Sequence, residues 1–261
     1  MSGPNSRLPQ VGLARALSKM GYCSRSRACQ LIHAQRVAVN GRIRRNPEAP
    51  VRLGSDRIEV DGRKVASRTK VYLLLNKPRG VVTTAADEKG RETVYAFLSD
   101  GLPWVAPVGR LDKASEGLLL LTNDSEWAAR VSAPETHLDK TYHVQVACVA
   151  DAVLIESITK GITNGEGEQL RAKSAHVLRR GGKNSWLEIV LDEGKNRHLR
   201  RMLAALGIEV LRLVRVAIGP LILGDLAKGT SRQLTETEKQ NLDAAMRQRF
   251  KGQITTDGTE K

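Results

Sequence analysis

Cysteine is scarce in this 261-residue chain, which has only Cys23, Cys29 and Cys148. Three thiols with no C-x-x-C among them supply neither a disulfide framework nor a zinc site, so reduced structural thiols are expected. Histidine is nearly as sparse: five residues, with no H-E-x-x-H and no clustering, give no reason to expect a metal. No run approaches the roughly 18 apolar residues of a membrane span. Met1 to Val11 also lacks the apolar stretch of a secretory signal. The expectation is a cytoplasmic protein with no membrane contact. Neither a G-x-G-x-x-G after a strand nor a P-loop is present, so no nucleotide cofactor is expected.

Positive charge, by contrast, is abundant. The formal net charge is +14, and residues 1–70 hold fifteen Lys and Arg against four Asp and Glu, a balance of +11. That leaves 14 − 11 = +3 for the other 191 residues. A positive field confined to one end reads as a nucleic-acid handle on a near-neutral body, although a basic surface can also serve solubility alone. The length suffices for one substantial core with a small accessory domain.

Hydrophobic periodicity divides the chain into a domain over 10–66, a larger one over 67–249 and a disordered tail over 250–261, with 1–9 polar and frayed. Leu13, Leu17 and Met20 repeat at helical spacing until Gly21 stops them. Ser24 is placed to cap a second helix with Ala28, Leu31 and Ile32 on its apolar side. Arg25 and Arg27 fall in its first turn, where the helix dipole repels cations, which suggests an external role. Val37 to Val39 runs into the hairpin turn Asn40-Gly41, and Arg57 to Val60 ends in Asp61-Gly62. Residues 63–70 are polar and are expected to link the two domains.

In the larger domain, strands are expected at Val71 to Leu75, Gly117 to Thr122, Tyr142 to Val146 and Trp186 to Leu191. The four consecutive leucines Leu118–Leu121 suit a strand covered on both faces. Helices are expected near 125–132 and 196–206, with a last one capped by Thr235 and Glu238 and ending near Arg249. Strands and helices without strict alternation indicate an α+β fold, with a small basic module followed by a mixed, mainly antiparallel sheet.

The stretch Ser24-Arg25 … Arg36-Val37-Ala38-Val39-Asn40-Gly41 is similar to the RNA-binding domain named after ribosomal small-subunit protein four. The resemblance implies that Arg25, Arg27, Arg36 and Arg42 contact RNA phosphates.

A second resemblance rests on Gly109-Arg110-Leu111-Asp112, followed by Ser115-x-Gly117 and the leucine strand. Read alone, Asp112 could merely cap a turn. The run through Asp124 nonetheless closely resembles the catalytic motif of the pseudouridine synthase family typified by the small-subunit ribosomal RNA enzyme. Lys140-Thr141-Tyr142 resembles that family's K-x-Y strand, although a strand tyrosine can equally be a core aromatic. In Glu193 to Leu203, Leu199, Met202, Leu203 and Leu206 share one helix face at ~100° per residue, with Arg197 and Arg201 opposite and Arg200 at the border. A border arginine can lay its stem on the core and send its head into a cleft.

The resemblance spans roughly residues 10–245 and implies ribosomal RNA as partner and Asp112, Tyr142 and Arg200 as catalytic residues; a monomer is the default expectation. It further implies that Arg200 pairs with the Asp112 carboxylate and that Tyr142 stacks on the target base. Arg110 and Leu199 would contact substrate, Arg110 by filling the space the flipped base vacates, although a salt bridge holding its own loop is the alternative. His198, where the family often has glutamine or glutamate, is expected at the surface. The alternative function is a non-catalytic RNA-binding or ribosome-assembly protein on the same fold. A carbohydrate glycosidase would need a second acid about 5–10 Å from the first, and no comparable motif supplies one.

Overall fold

The computed structural model describes residues 10–85 and 87–254, so the expectations for 1–9 and 255–261 lie outside the described residues. The chain forms two compact units. One comprises the chain through Val71 with residues 100–106 and 122–125; the other comprises 72–99, 107–121 and the chain from Glu126 onward.

The first unit opens with β1 (Gln10–Gly12), α1 (Leu13–Lys19), α2 (Arg25–His33), β2 (Val37–Val39), β3 (Arg42–Ile43), β4 (Pro50–Arg52), β5 (Ile58–Val60) and β6 (Arg63–Lys64). Gly21, at φ +70°, ends the first helix in the left-handed conformation that suits glycine. Ser24 caps the second, its Oγ accepting the Arg27 N–H at 3.1 Å. Leu13, Leu17, Ala28, Ile32, Val37, Val39, Ile58 and Val60 make one apolar core. The sheet runs β3-β2-β5-β6. Its two hairpins turn at Asn40-Gly41 and Asp61-Gly62, all four residues having positive φ as a type I′ turn requires. The second turn sends Arg63–Lys64 back along β5, so these residues, expected in a linker, are a strand.

The remaining elements are β7 (Tyr72–Lys77), β8 (Ala106–Val108), β9 (Glu116–Thr122), α3 (Ser125–Ser132), β10 (Lys140–Val146), α4 (Ala152–Lys160), β11 (Ile162–Thr163), β12 (Gln169–Leu170), β13 (Ser174–Arg180), β14 (Ser185–Leu191), α5 (His198–Ala205), β15 (Val210–Ile218), β16 (Leu221–Ile222), β17 (Ser231–Gln233) and α6 (Glu236–Ile254). Nine of these strands form one sheet of order β13-β14-β10-β15-β9-β7-β17, with β8 beside β9 and β16 beside β15. The fold is α+β and its sheet mainly antiparallel, the β15–β9 pair being parallel.

All seven residues of β9 are buried, as the leucine run requires. One core gathers Leu118 and Leu120 with Leu74, Trp127, Ile218 and Leu242. The other sets Leu199, Met202 and Leu203 of α5 against Val144, Leu187 and Leu213. Thr235 and Glu238 cap α6 reciprocally, at 2.8 and 3.2 Å. The helix continues to Ile254, so residues 250–254, expected in the tail, are helical. α5 begins two residues later than expected because Arg197 is left-handed, at φ 51°.

The parallel pair β9–β15 sets Gly117 opposite Arg215. A Cβ on Gly117 would lie 2.3 Å from the Arg215 carbonyl oxygen and 2.9 Å from its nitrogen, and φ there is +98°. Backbone meets backbone, so no side chain can yield. Gly117→Ala should lower stability by roughly 3 kcal/mol or more, combining left-handed strain with overpacking. Gly41→Ala, where nothing lies within 4 Å, should lose only about 1 kcal/mol. Urea midpoints of the two variants check the contrast.

Candidate active site

Asp112 stands in the loop between β8 and β9, and every carbonyl from Leu111 to Ser115 has a donor. Thr83 Oγ1 donates to Leu111 at 2.8 Å, Ser115 N to Asp112 at 2.9 Å, Gly80 N to Lys113 at 2.8 Å and Arg200 Nη2 to Ala114 at 3.0 Å. Lys77, fully buried at the end of β7, donates from Nζ to Ser115 at 2.9 Å, to Pro78 at 3.0 Å and to Asp112 at 3.3 Å. A loop so fully bonded holds its carboxylate in one place. Burial pushes the Lys77 ammonium down to about 8, against the pull of Glu116 and Asp112. Lys77 was not singled out by sequence reasoning. The available signal was a lysine ending the apolar strand Tyr72-Leu73-Leu74-Leu75, just before a proline.

The guanidinium nearest Asp112 differs from the one expected. Arg197 Nη1 lies 3.9 Å from Asp112 Oδ2, because its left-handed backbone departs from the helical geometry that would have turned it away. Arg200 instead bonds the Ala114 carbonyl, two residues along the same loop. Its charge interacts with Asp112, and burial, followed by the Arg197 charge, pushes its guanidinium below the ordinary value. Arg200 is thus an anchor of the loop, with its Nε unpartnered among the described residues.

Two further expectations for α5 are corrected. Arg201 is half-buried, its Nη2 2.5 Å from Glu168. His198 is the first residue of α5 and is buried, with both ring nitrogens unpartnered among the described residues. Burial, then the Lys195 charge, lowers its tendency to protonate.

A cavity of about 360 Å³ brings Asp112, Tyr142, Arg200, Arg110 and Leu199 together. Val108, Leu213 and Ile218 add apolar wall, and Ser115, Lys140 and Arg215 add polar groups. Arg110 itself is exposed. A second cleft of about 420 Å³ is lined by Thr83, Asp87, Lys89, Arg91 and Lys113 and shares Arg110 and Asp112 with the first, so the Asp112 loop borders both. Beside the cavity, Glu116 accepts two hydrogen bonds from Arg212, at 2.8 and 3.0 Å, and one from Lys228. Burial alone would push the Glu116 carboxyl up; these bonds and charges outweigh it and hold the group at about 2.

Arg25, Arg27, Arg36 and Arg42 are exposed in the first unit and take no part in this cavity. Arg36 is engaged with Asp61 through two bonds, at 2.8 and 2.5 Å, which reduces its freedom to meet a phosphate. Among the described residues no group of three or more His, Cys, Asp or Glu could hold a metal ion.

A carboxylate, a tyrosine and four arginines (Arg110, Arg197, Arg200 and Arg215) converge on a cavity large enough for a nucleobase, in a chain whose other unit is basic. Residues 71–205 match the RNA pseudouridylate synthase family and residues 11–58 match the S4 domain. The chain belongs to the RNA pseudouridylate synthase family and carries an S4 domain ahead of it. It is 39% identical over 234 residues to the ribosomal large subunit pseudouridine synthase B of Bacillus subtilis, covering 89% of this chain and 95% of that one. An uncharacterized RNA pseudouridine synthase of Aquifex aeolicus is 38% identical, covering 91% of this chain and 95% of its own length. A crystal structure of a pseudouridylate synthase superposes with a TM-score of 0.63 at 30% identity, covering 89% of this chain and 99% of that one.

Lys77 offers a test of how the loop is held. Lys77→Met removes the ammonium bonded to the Ser115 and Asp112 carbonyls. Stability should fall by about 1–3 kcal/mol from the unsatisfied carbonyls. A misplaced carboxylate should lower kcat on the order of 100-fold with RNA affinity kept. The folded-state value near 8 lies below the ordinary 10.5, so the unfolded chain binds more protons between them. Lys77 therefore contributes a rise in stability from pH 8 to 10.5, and denaturation curves of the methionine variant should lack that contribution.

Proposed function

We propose that this enzyme converts a uridine of ribosomal RNA, in the large subunit, to pseudouridine, with Asp112 as the residue that acts on the ribose. The observation that carries this reading is the bonded Asp112 loop presenting its carboxylate to a cavity shared with Tyr142, Leu199 and Arg200. The name of the Bacillus relative supports the choice of subunit. Such a substrate would place the enzyme in the cytoplasm, and no described helix is long and apolar enough to cross a membrane.

The reaction breaks the bond between ribose C1′ and uracil N1, turns the base, and joins C1′ to C5. The proton lost from C5 is balanced by one gained at N1, so no redox partner or donated group is needed. Asp112 in its ionised form attacks C1′ or removes the neighbouring ribose proton, and Arg197 and Arg200 balance its charge. The target base must first leave the stack, at an expense of a few kcal/mol that binding elsewhere offsets. Tyr142 then stacks on it, Leu199 closes the apolar side, and Arg110 fills the vacated space. The apolar wall of Val108, Leu213 and Ile218 retains the detached uracil and limits water.

Arg25, Arg27 and Arg42 give the first unit its hold on the RNA backbone. Arg36 joins them by exchanging Asp61 for a phosphate.

Asp112→Asn should abolish pseudouridine formation in ribosomal RNA fragments while RNA binding persists; activity in that variant overturns the assignment of Asp112, whereas an unmutated protein that binds RNA and forms no pseudouridine favours a non-catalytic binder. Replacing Arg25, Arg27 and Arg42 together by alanine should weaken binding and flatten the log affinity against log salt slope by about 2, at ~0.7 per phosphate contact. An unchanged slope in a filter-binding titration would remove these arginines from the RNA interface.

A further inference from the structure

Arg215 lies on β15 with its side chain nearly completely buried, at 6% exposure, and it lines the same cavity as Asp112. In the antiparallel register it stands opposite Tyr142, and cross-strand partners share a face of the sheet. Its Nε donates to the Leu118 carbonyl at 2.8 Å, which fixes the head of the side chain. Its Nη2 has no acceptor among the described residues. No carboxylate among them forms an ion pair with it, whereas Arg212, three residues earlier on the same strand, is paired with Glu116. Lys140 lines the same cavity, and burial, followed by the Arg215 charge, holds its ammonium below the ordinary value.

A buried guanidinium without a counter-ion is costly, and such a group persists where a negative partner arrives from outside. The cavity already has an assigned occupant. When the C1′–N1 bond breaks, its electron pair leaves with the uracil, and the charge spreads from N1 onto the two carbonyl oxygens. A fixed cation already in place in the cavity favours that charge over the neutral base from which it forms. We infer that Arg215 stabilises the negative charge on the departing uracil, which assigns Arg215 a role distinct from those of Arg197 and Arg200 beside the carboxylate. The inference rests on the pseudouridine synthase reading of this cavity.

The test compares leaving groups. Single-turnover rates and steady-state kcat and KM are measured on RNA carrying uridine or 5-fluorouridine at the target position, with loss of the starting nucleoside followed by digestion and mass spectrometry. Fluorine withdraws electrons and makes the base easier to expel without help. Arg215→Met should lose on the order of 100-fold on uridine and less than about tenfold on 5-fluorouridine, with the loss in kcat rather than KM. Arg215→Lys should recover part of the rate on uridine. Equal losses on both substrates would make the residue a packing element and overturn the inference. So would an undiminished rate, or a loss confined to KM with a shallower salt dependence, which would mark a phosphate contact. If the methionine variant does not fold, the lysine variant is compared on the same two substrates with the same criteria. Asp112→Asn is run alongside: activity there would defeat the site assignment, while the ratio between substrates still decides Arg215.

Discussion

The site depends on one buried ammonium. Lys77 reaches from the end of β7 to backbone carbonyls of the Asp112 loop, and among the described residues it forms no ion pair. An ammonium has three donors and the loop presents the acceptors, so hydrogen bonds satisfy the group while burial weakens its hold on the proton. The remaining carbonyls of the loop are taken up by Thr83, Gly80 and Arg200. The carboxylate is thus held by backbone, and among the described residues its own oxygens meet only Arg197, 3.9 Å from Oδ2.

The second constraint is the parallel contact between β9 and β15. Gly117 lets the two backbones approach closely beside Arg215, so the strand that leaves the Asp112 loop is seated against the strand that carries Arg215. Glu116, the neighbour of Gly117, is tied to Arg212 of β15 and to Lys228. Sequence neighbours on both strands therefore lock the same junction by backbone fit and by charge.

Much of this was legible in the residues. Gly21, Ser24, Asn40-Gly41, Asp61-Gly62 and the Thr235–Glu238 cap act through their own backbone, so local chemistry sufficed to place them. The leucine run of β9 also announced its burial. The motif around Asp112 and the strand of Tyr142 pointed to a common cavity, which contains both. What escaped depended on tertiary context. Helical periodicity put Arg197 on the wrong side because it assumed a regular backbone at a residue that is left-handed. His198 lacked an apolar signature, and Lys77 and Arg215 are charged residues whose burial makes sense only once their partners are assembled. Arg63–Lys64 shows no alternation of its own and becomes a strand through the preceding turn.

The main path of the nine-stranded sheet ends in two border strands, each with strand partners on one side alone among the described residues. Here one is β13, which carries a bulge between Val177 and Arg179 and ends in the exposed pair Arg179-Arg180. The other is β17, only three residues long, whose Arg232 is held by Glu238. Irregularity and charge at one border and brevity at the other discourage strand addition from a second molecule. The same features work against edge-to-edge association of two copies.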